Sequence, residues 1–272
     1  MSIKSVMSAL VIPRAIWHNA SAFLSLGVLL LLWEGLAHYI NIDGFPLASE
    51  ALLQVPVILR EREALISIGA SLWRMFLGGA LALMIAVPVG LTMGRNQRTA
   101  QALSPVLTLI YPIPKAALMP IIMLWFGIGD LSKVLVIFVG VSLPLIYHSY
   151  HGAQSVDEKL LWSAMAMGMK PVERLFRVVL PSALPEVLLG CRVGLAMALI
   201  VMIASEMIAR QSGAGELLFN ALDMALYTDV YAIIIILAGI GFLLDWVFER
   251  IRSRLVHWAE IRQDAVVPRG RA

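Results

Sequence analysis

Residues 155–181 read SVDEKLLWSAMAMGMKPVERLFRVVLP, a polar stretch between two long apolar segments. A connection that only reversed the chain would be far shorter. The spacing predicts two short helices with a bend. Ser155 caps the first, with Glu158 three residues on to complete a capping box. Val156, Leu160, Ala164 and Met167 fall on one face at helical spacing. Gly168 stands where a left-handed residue ends the helix. Pro171 suits the first turn of a second helix, with Glu173 near its start and Arg174 and Arg177 toward its end. Pro181 and Pro185 then open the next apolar run. Such an element either covers the membrane face or presents a folded handle to a soluble partner.

The flanks settle the class of protein. The chain has 272 residues, 60% hydrophobic and 14% charged, with mean hydropathy +0.85. A soluble domain of this size has no room for so much apolar surface, so an integral membrane protein is expected. Cys191 is the single cysteine, which excludes an internal disulfide framework. A net charge of +3, scattered around apolar runs, implies no nucleic-acid partner.

Outward from the loop, six spans are expected. They are Ala20–Ile40, Ile66–Met93, Ala102–Ile128, Leu131–Tyr150, Leu184–Ile208 and Val230–Phe248. The whole reads as an all-α polytopic protein: a leader 1–19, a six-span domain 20–248 and a basic tail 249–272 ending in unstructured VVPRGRA. The first run lacks a cleavage site and reads as a retained span. Residues 41–65 read as a polar connection, and 209–229 as another carrying a short helix at Glu216–Leu226. Six spans put both termini and the long loop on one side. Fourteen Lys and Arg fall on that side, and four, Arg60, Arg62, Lys133 and Arg210, on the other. The positive-inside rule places the richer side in the cytoplasm.

The third apolar run, SPVLTLIYPIPKAALMPIIMLWFGIGD over 104–130, is broken by Pro105, Pro112, Pro114 and Pro120. Freed backbone carbonyls at membrane depth need protein or a water-filled cavity, so the run is either a packed kink or part of a path. Ionisable groups in spans invite function. Glu34 and Asp245 lie near span ends and reach the interface, and Arg74 snorkels. Arg192 and Glu206 lie fourteen residues apart in the fifth span, so each needs a partner elsewhere. Lys115 is the candidate partner and a candidate attraction for an anion. His148 and His151 lack a third metal ligand. Gly90-x-x-x-Gly94 and Gly190-x-x-x-Gly194 permit close helix approach, within the chain or against a second copy. No G-x-x-x-x-G-K-[ST] loop, H-E-x-x-H or G-x-S-x-G occurs, and no large soluble domain to capture solute.

Residues 155–181 resemble the EAA loop of ABC-importer permeases, whose pattern is Glu-Ala-Ala, three residues, Gly, nine residues, then Ile-x-Leu-Pro. Gly168, Val178, Leu180 and Pro181 match at those intervals, Ala164 and Ser163 hold the alanine places, and Trp162 stands where the family often has Glu. Pro112-Ile113-Pro114, Ala117, Pro120 and 124–129, LWFGIG, are similar to the third-span signature of the nitrate, sulfonate, taurine and bicarbonate branch. The resemblance covers roughly Ile66 to Trp246. It implies a permease without an active site, carrying a small, mostly anionic solute through the bacterial inner membrane. It implies a homodimer with two ATPase subunits, which bind ATP and Mg, and a solute-binding protein. The first short helix would be the coupling helix. The path would run along the third and fifth spans, past Pro112, Pro114, Lys115, Trp125, Arg192 and Glu206. Two other classes are weighed against it. A membrane-embedded enzyme would use Glu206 or the His148/His151 pair without ATP. A gradient-driven carrier would use Lys115, Arg192 and Glu206.

Overall fold

The structure is a computed structural model that describes residues 14–258, with side chains from Leu24 onward. Every regular element among them is helical. They are α1 (Arg14–Ile40), α2 (Ala48–Ile58), α3 (Arg62–Arg95), α4 (Gln97–Ile110), a 3₁₀ turn at Lys115–Leu118, α5 (Met119–Phe126) and α6 (Asp130–Gln154). There follow α7 (Glu158–Ala166), α8 (Pro171–Arg174), a π turn at Leu175–Val179, α9 (Leu180–Ala209), α10 (Ala214–Asp223) and α11 (Tyr227–Leu255). Among the described residues four helical stretches are long and apolar enough to cross a membrane: α3, α6, the 39-residue rod Pro171–Ala209, and α11. The α4–α5 pair, bent by 89°, counts as a fifth when taken as one broken span. Helix α1 runs for 27 residues and ends at Ile40, where the first apolar run ends.

Several boundaries differ from expectation. The third run is an elbow, not a kinked rod. Residues 41–65 contain a real helix, α2, which the proline and charge pattern hid. It packs Ala48, Ala51 and Ile58 inward. Helix α10 begins two residues before the expected short helix and stops three before its end. The fifth span reaches back to Pro171, so the second short helix of the loop is the base of that span. Helix α11 continues through Leu255, beyond the expected boundary at Phe248. The expected leader becomes helix from Arg14. The rest of the leader and VVPRGRA lie outside the described residues.

In lipid, apolar contact alone gives helices no reason to associate, so close van der Waals packing must do it. Helix α6 is where this happens, because small residues flank it on two sides. A Cβ on Gly90 of α3 would meet the Ile146 carbonyl oxygen at 2.5 Å, and one on Gly94 would meet the Ala153 Cβ at 2.5 Å. From α9, Gly190 seats on His148 and Gly194 on Val141. Both G-x-x-x-G pairs are therefore spent inside the chain. Around them Met75, Ala82, Ala86, Val136, Ile137, Leu145, Ala198 and Met202 form the main core. A second cluster lies at one end, where α2, α10 and the start of α11 cover Ala64 and Ile68 of α3. Gly90→Leu forces a side chain into the α6 backbone. Overpacking of this kind costs about 1–3 kcal/mol or more, read as a lowered melting temperature of the purified protein, whereas Gly79→Leu, which meets open space, leaves it unchanged.

Candidate functional site

The loop that joins α6 to α9 is folded throughout. Its first helix is capped by Asp157, whose carboxylate accepts from the Lys159 amide at 2.9 Å. Ser155 instead donates to the Gly152 carbonyl at 2.9 Å and closes α6. The expected Ser155–Glu158 capping box is thus absent, and Glu158 pairs with Arg95 of α3 at 2.9 Å. Asp outcompetes Ser two residues earlier because its position lets a charged acceptor meet the first free amides of α7. Gly168 has φ +78°. The Met169 amide donates to the Ala164 carbonyl and the Gly168 amide to that of Met165, the paired bonds of a Schellman stop.

The inward face of α7 is Leu161 and Ala164, with Val156 just before it; all three are buried. The expected Leu160 and Met167 point out, at 51% and 68% exposure. Asp157 starts the helix later than a Ser155 cap would, which changes where the face begins. Trp162, 60% exposed, and Met165 share the outer surface with them. Ser163 is exposed and donates back to the Lys159 carbonyl at 2.8 Å. Val178 and Leu180 are half-buried against Leu91, Ala153, Leu161, Ala183 and Val187, which seats the loop on α3, α6 and α9. Pro181 is exposed. It has no amide to offer the Arg177 carbonyl, and the Leu180 amide reaches back to Leu175. That wider turn carries the helix through the proline without a break.

At the elbow, Tyr111-Pro112-Ile113-Pro114 separates α4 from the 3₁₀ turn. Pro114 cannot donate to Ile110. The Lys115 ammonium does so instead, at 3.1 Å to the Ile110 oxygen and 2.6 Å to that of Tyr111. It also stands 5.7 Å from the Tyr111 ring centre, and Tyr111 meets Tyr147 edge-on at 5.6 Å. Lys115 therefore neutralises the end of α4 and partners neither Arg192 nor Glu206, contrary to expectation. Pro112, Pro114 and Trp125 are exposed.

Arg192 makes a two-pronged bond to Asp245 of α11, at 2.7 Å and 2.7 Å, with Glu249 at 3.3 Å. Asp245 is thus an interhelical partner. Glu34 likewise binds Ser49, through its amide at 3.0 Å and its hydroxyl at 2.7 Å, and ties α1 to α2. His148 pairs with Glu186 across α6 and α9 at 2.8 Å. Arg74 does not snorkel: it is 3% exposed and binds Glu206 and Asp130, each at 2.7 Å. Glu206, fully buried, also accepts from the Ser71 hydroxyl and the Gly215 amide. Lys133, 1% exposed, donates to the Gln211 and Ser212 carbonyls, both at 2.9 Å. The six expected path residues do not converge on one spot. Ser71 and Arg74 of α3 and Lys133 of α6 were missed as a set because their partners, Glu206 and the 211–215 turn, lie far along the chain. The signal in the sequence was the number of uncompensated charges in apolar runs.

Membrane-crossing helices, one bent at an elbow and two joined by a folded loop that presents an apolar outer face, define a polytopic transport subunit. The family described as the binding-protein-dependent transport system inner membrane component matches residues 78–257. The chain belongs to that family: it is the membrane-spanning permease subunit of an ABC importer, and ATP hydrolysis resides in separate ATP-binding subunits, with a solute-binding protein to deliver cargo. The taurine transport system permease protein TauC of Escherichia coli (strain K12) is 34% identical over 191 residues, 70% of each chain. The putative aliphatic sulfonates transport permease protein SsuC of Bacillus subtilis (strain 168) is 30% identical over 239 residues, 85% of this chain and 84% of its own. An inward-facing conformation of the MetNI methionine ABC transporter matches with a TM-score of 0.62 at 18% identity, over 71% of this chain and 95% of the other, a likeness of fold. The enzyme and gradient-driven carrier readings are set aside by the family. For Glu206 the geometry agrees: the carboxylate is fully buried and held by Arg74, Ser71 and the Gly215 amide.

Proposed function

We propose that two copies of this chain form the path for a small organic sulfonate, taurine or an alkanesulfonate, across the bacterial inner membrane. The relatedness to TauC and SsuC carries the solute class. The charge bias of the sequence supports cytoplasmic termini and a cytoplasmic α7 loop. Helix α7 is the coupling helix: Leu160, Trp162, Met165 and Met167 offer an apolar face to a groove of the ATP-binding subunit, while Ser163, Ala164, Gly168, Val178, Leu180 and Pro181 set its shape and its seat. ATP and Mg bind in that partner, whose closure draws the two coupling helices together. The α5–α6–α9 side faces the second copy and the path. Its exposed apolar groups include Leu124, Trp125, Val193, Met197 and Ile200, and other surfaces meet lipid.

The test is accumulation of radiolabelled taurine by proteoliposomes that hold the chain with its ATP-binding and solute-binding partners. ATP-dependent, vanadate-sensitive uptake is expected, with ethanesulfonate competing. ATP-driven uptake of nitrate with no uptake of either sulfonate would overturn the solute class.

A further inference from the structure

The Arg74 network is larger than an ion pair and sits at a particular place. It joins α3 through Ser71 and Arg74, α6 through Asp130 and Lys133, α9 through Glu206, and the start of α10 through its backbone. Arg74 gives its Nε to Asp130 and one terminal nitrogen to Glu206 and the Ser212 carbonyl, at 2.7 Å each. Its other terminal nitrogen reaches the Ser212 hydroxyl at 2.7 Å. The Ala214 amide donates to the Ser71 hydroxyl at 2.8 Å and the Gly215 amide to Glu206 at 3.0 Å. Buried charges this well paired are costly to separate, and breaking the set would strand several groups at once.

Two glycines show how tightly the α9–α10 turn is drawn down. Gly213 has φ +138°, and any Cβ there would fall on the Glu206 carboxylate. A Cβ on Gly215 would strike the Ile203 carbonyl. The turn is thus shaped around the carboxylate. Helix α10 in turn packs Ala214 and Ala221 into the cluster shared with α2, α3 and α11. At the other end of the same bundle, α8, the π turn and α9 run on as one 39-residue rod that starts at Pro171 in the α7 loop. The glycine contacts of α3 and α9 with α6 fasten the middle.

We infer that the Arg74–Glu206 network is a permanent clamp that makes α3, α6, α9 and the far-end helix α10 a single rigid body. Arg74 and Glu206 are positioning residues. A displacement imposed at the α7 loop reaches α10 undiminished, and α10 does not hinge on α9 during the transport cycle. This goes beyond the family assignment and needs no assumption about the solute.

The experiment places spin labels at Leu222 on α10 and Ile200 on α9, both exposed, in a Cys191→Ser background. The labelled chain is diluted with unlabelled copies in the reconstituted complex, so that within-chain distances dominate. The expected result is one distance peak, the same without nucleotide and after trapping with ATP and vanadate. Two variants loosen the clamp: Gly213→Ala, and Arg74→Met combined with Glu206→Gln, which removes both buried charges together. In each, the peak broadens or shifts by more than about 2 Å on trapping. Taurine uptake per ATP hydrolysed falls roughly tenfold, with the amount of assembled complex unchanged. A shift of the peak on trapping in the labelled parent, with the clamp intact, overturns the inference. So does unchanged uptake per ATP in the variants, or a fall of complex and uptake in strict proportion, the mark of a merely structural role. The distance measurement stands even if taurine is not the solute.

Discussion

Replacing Arg74 alone by alanine is expected to be the most damaging single change in the membrane domain. The guanidinium is 3% exposed and its main partner is fully buried. Its loss leaves Glu206 as a buried carboxylate with only a hydroxyl and an amide for company, and strips Ser212 of two donors. Truncating one side of a buried, hydrogen-bonded pair costs about 3–5 kcal/mol. The measurement is the melting temperature of the purified chain in detergent, beside the yield of membrane-inserted protein. Asp130 offers the internal control. Its carboxylate is 72% exposed, so Asp130→Asn frees no buried charge and should cost about 1 kcal/mol or less. Equal losses from the two substitutions would show that burial does not set the strength of this network.

Gly168→Val is expected to leave the bundle standing and to disable the α7 loop. A β-branched residue is a poor occupant of the left-handed region, at about 1–2 kcal/mol even before the branch is counted. A Cβ at this position meets nothing, so strain and not collision is the cause. The Schellman stop loosens, and with it the angle between α7 and the rod. The outer face of Leu160, Trp162 and Met165 then no longer meets its partner as one surface. ATP-driven uptake should fall roughly tenfold, while the melting temperature of the isolated chain moves little. Gly168→Asn, which tolerates the same backbone region, should retain most of the uptake. Full uptake by the valine variant would show that the turn at 168 has no part in coupling.

Much of this molecule was legible because membrane sequences announce their spans. The elbow was visible in four prolines, though its 89° bend was not, since proline spacing does not fix an angle. Gly168 was legible because one residue type suits one backbone state. The loop's inward face was read one residue out of place at Leu160. The error came from choosing Ser155 over Asp157 as the cap, two good capping residues that only the meeting of the chain with α6 could separate. The charged residues were found but wrongly paired. Arg74 with Glu206, and Arg192 with Asp245, are contacts between helices far apart in sequence, and no local pattern encodes which of several lone charges will meet. Helix α2 was missed because Pro56 and the cluster from Arg60 to Glu63 outweighed a short apolar face.

The elbow has a consequence for how the protein is made. Lys115 supplies the hydrogen bonds at its corner to carbonyls four and five residues earlier. Contacts so close in sequence form fast and without help from the rest of the chain. The corner can therefore close as soon as that lysine emerges during synthesis, before α6 exists to pack against it. The bilayer then receives a prefolded corner whose Ile110 and Tyr111 carbonyls already have their partner.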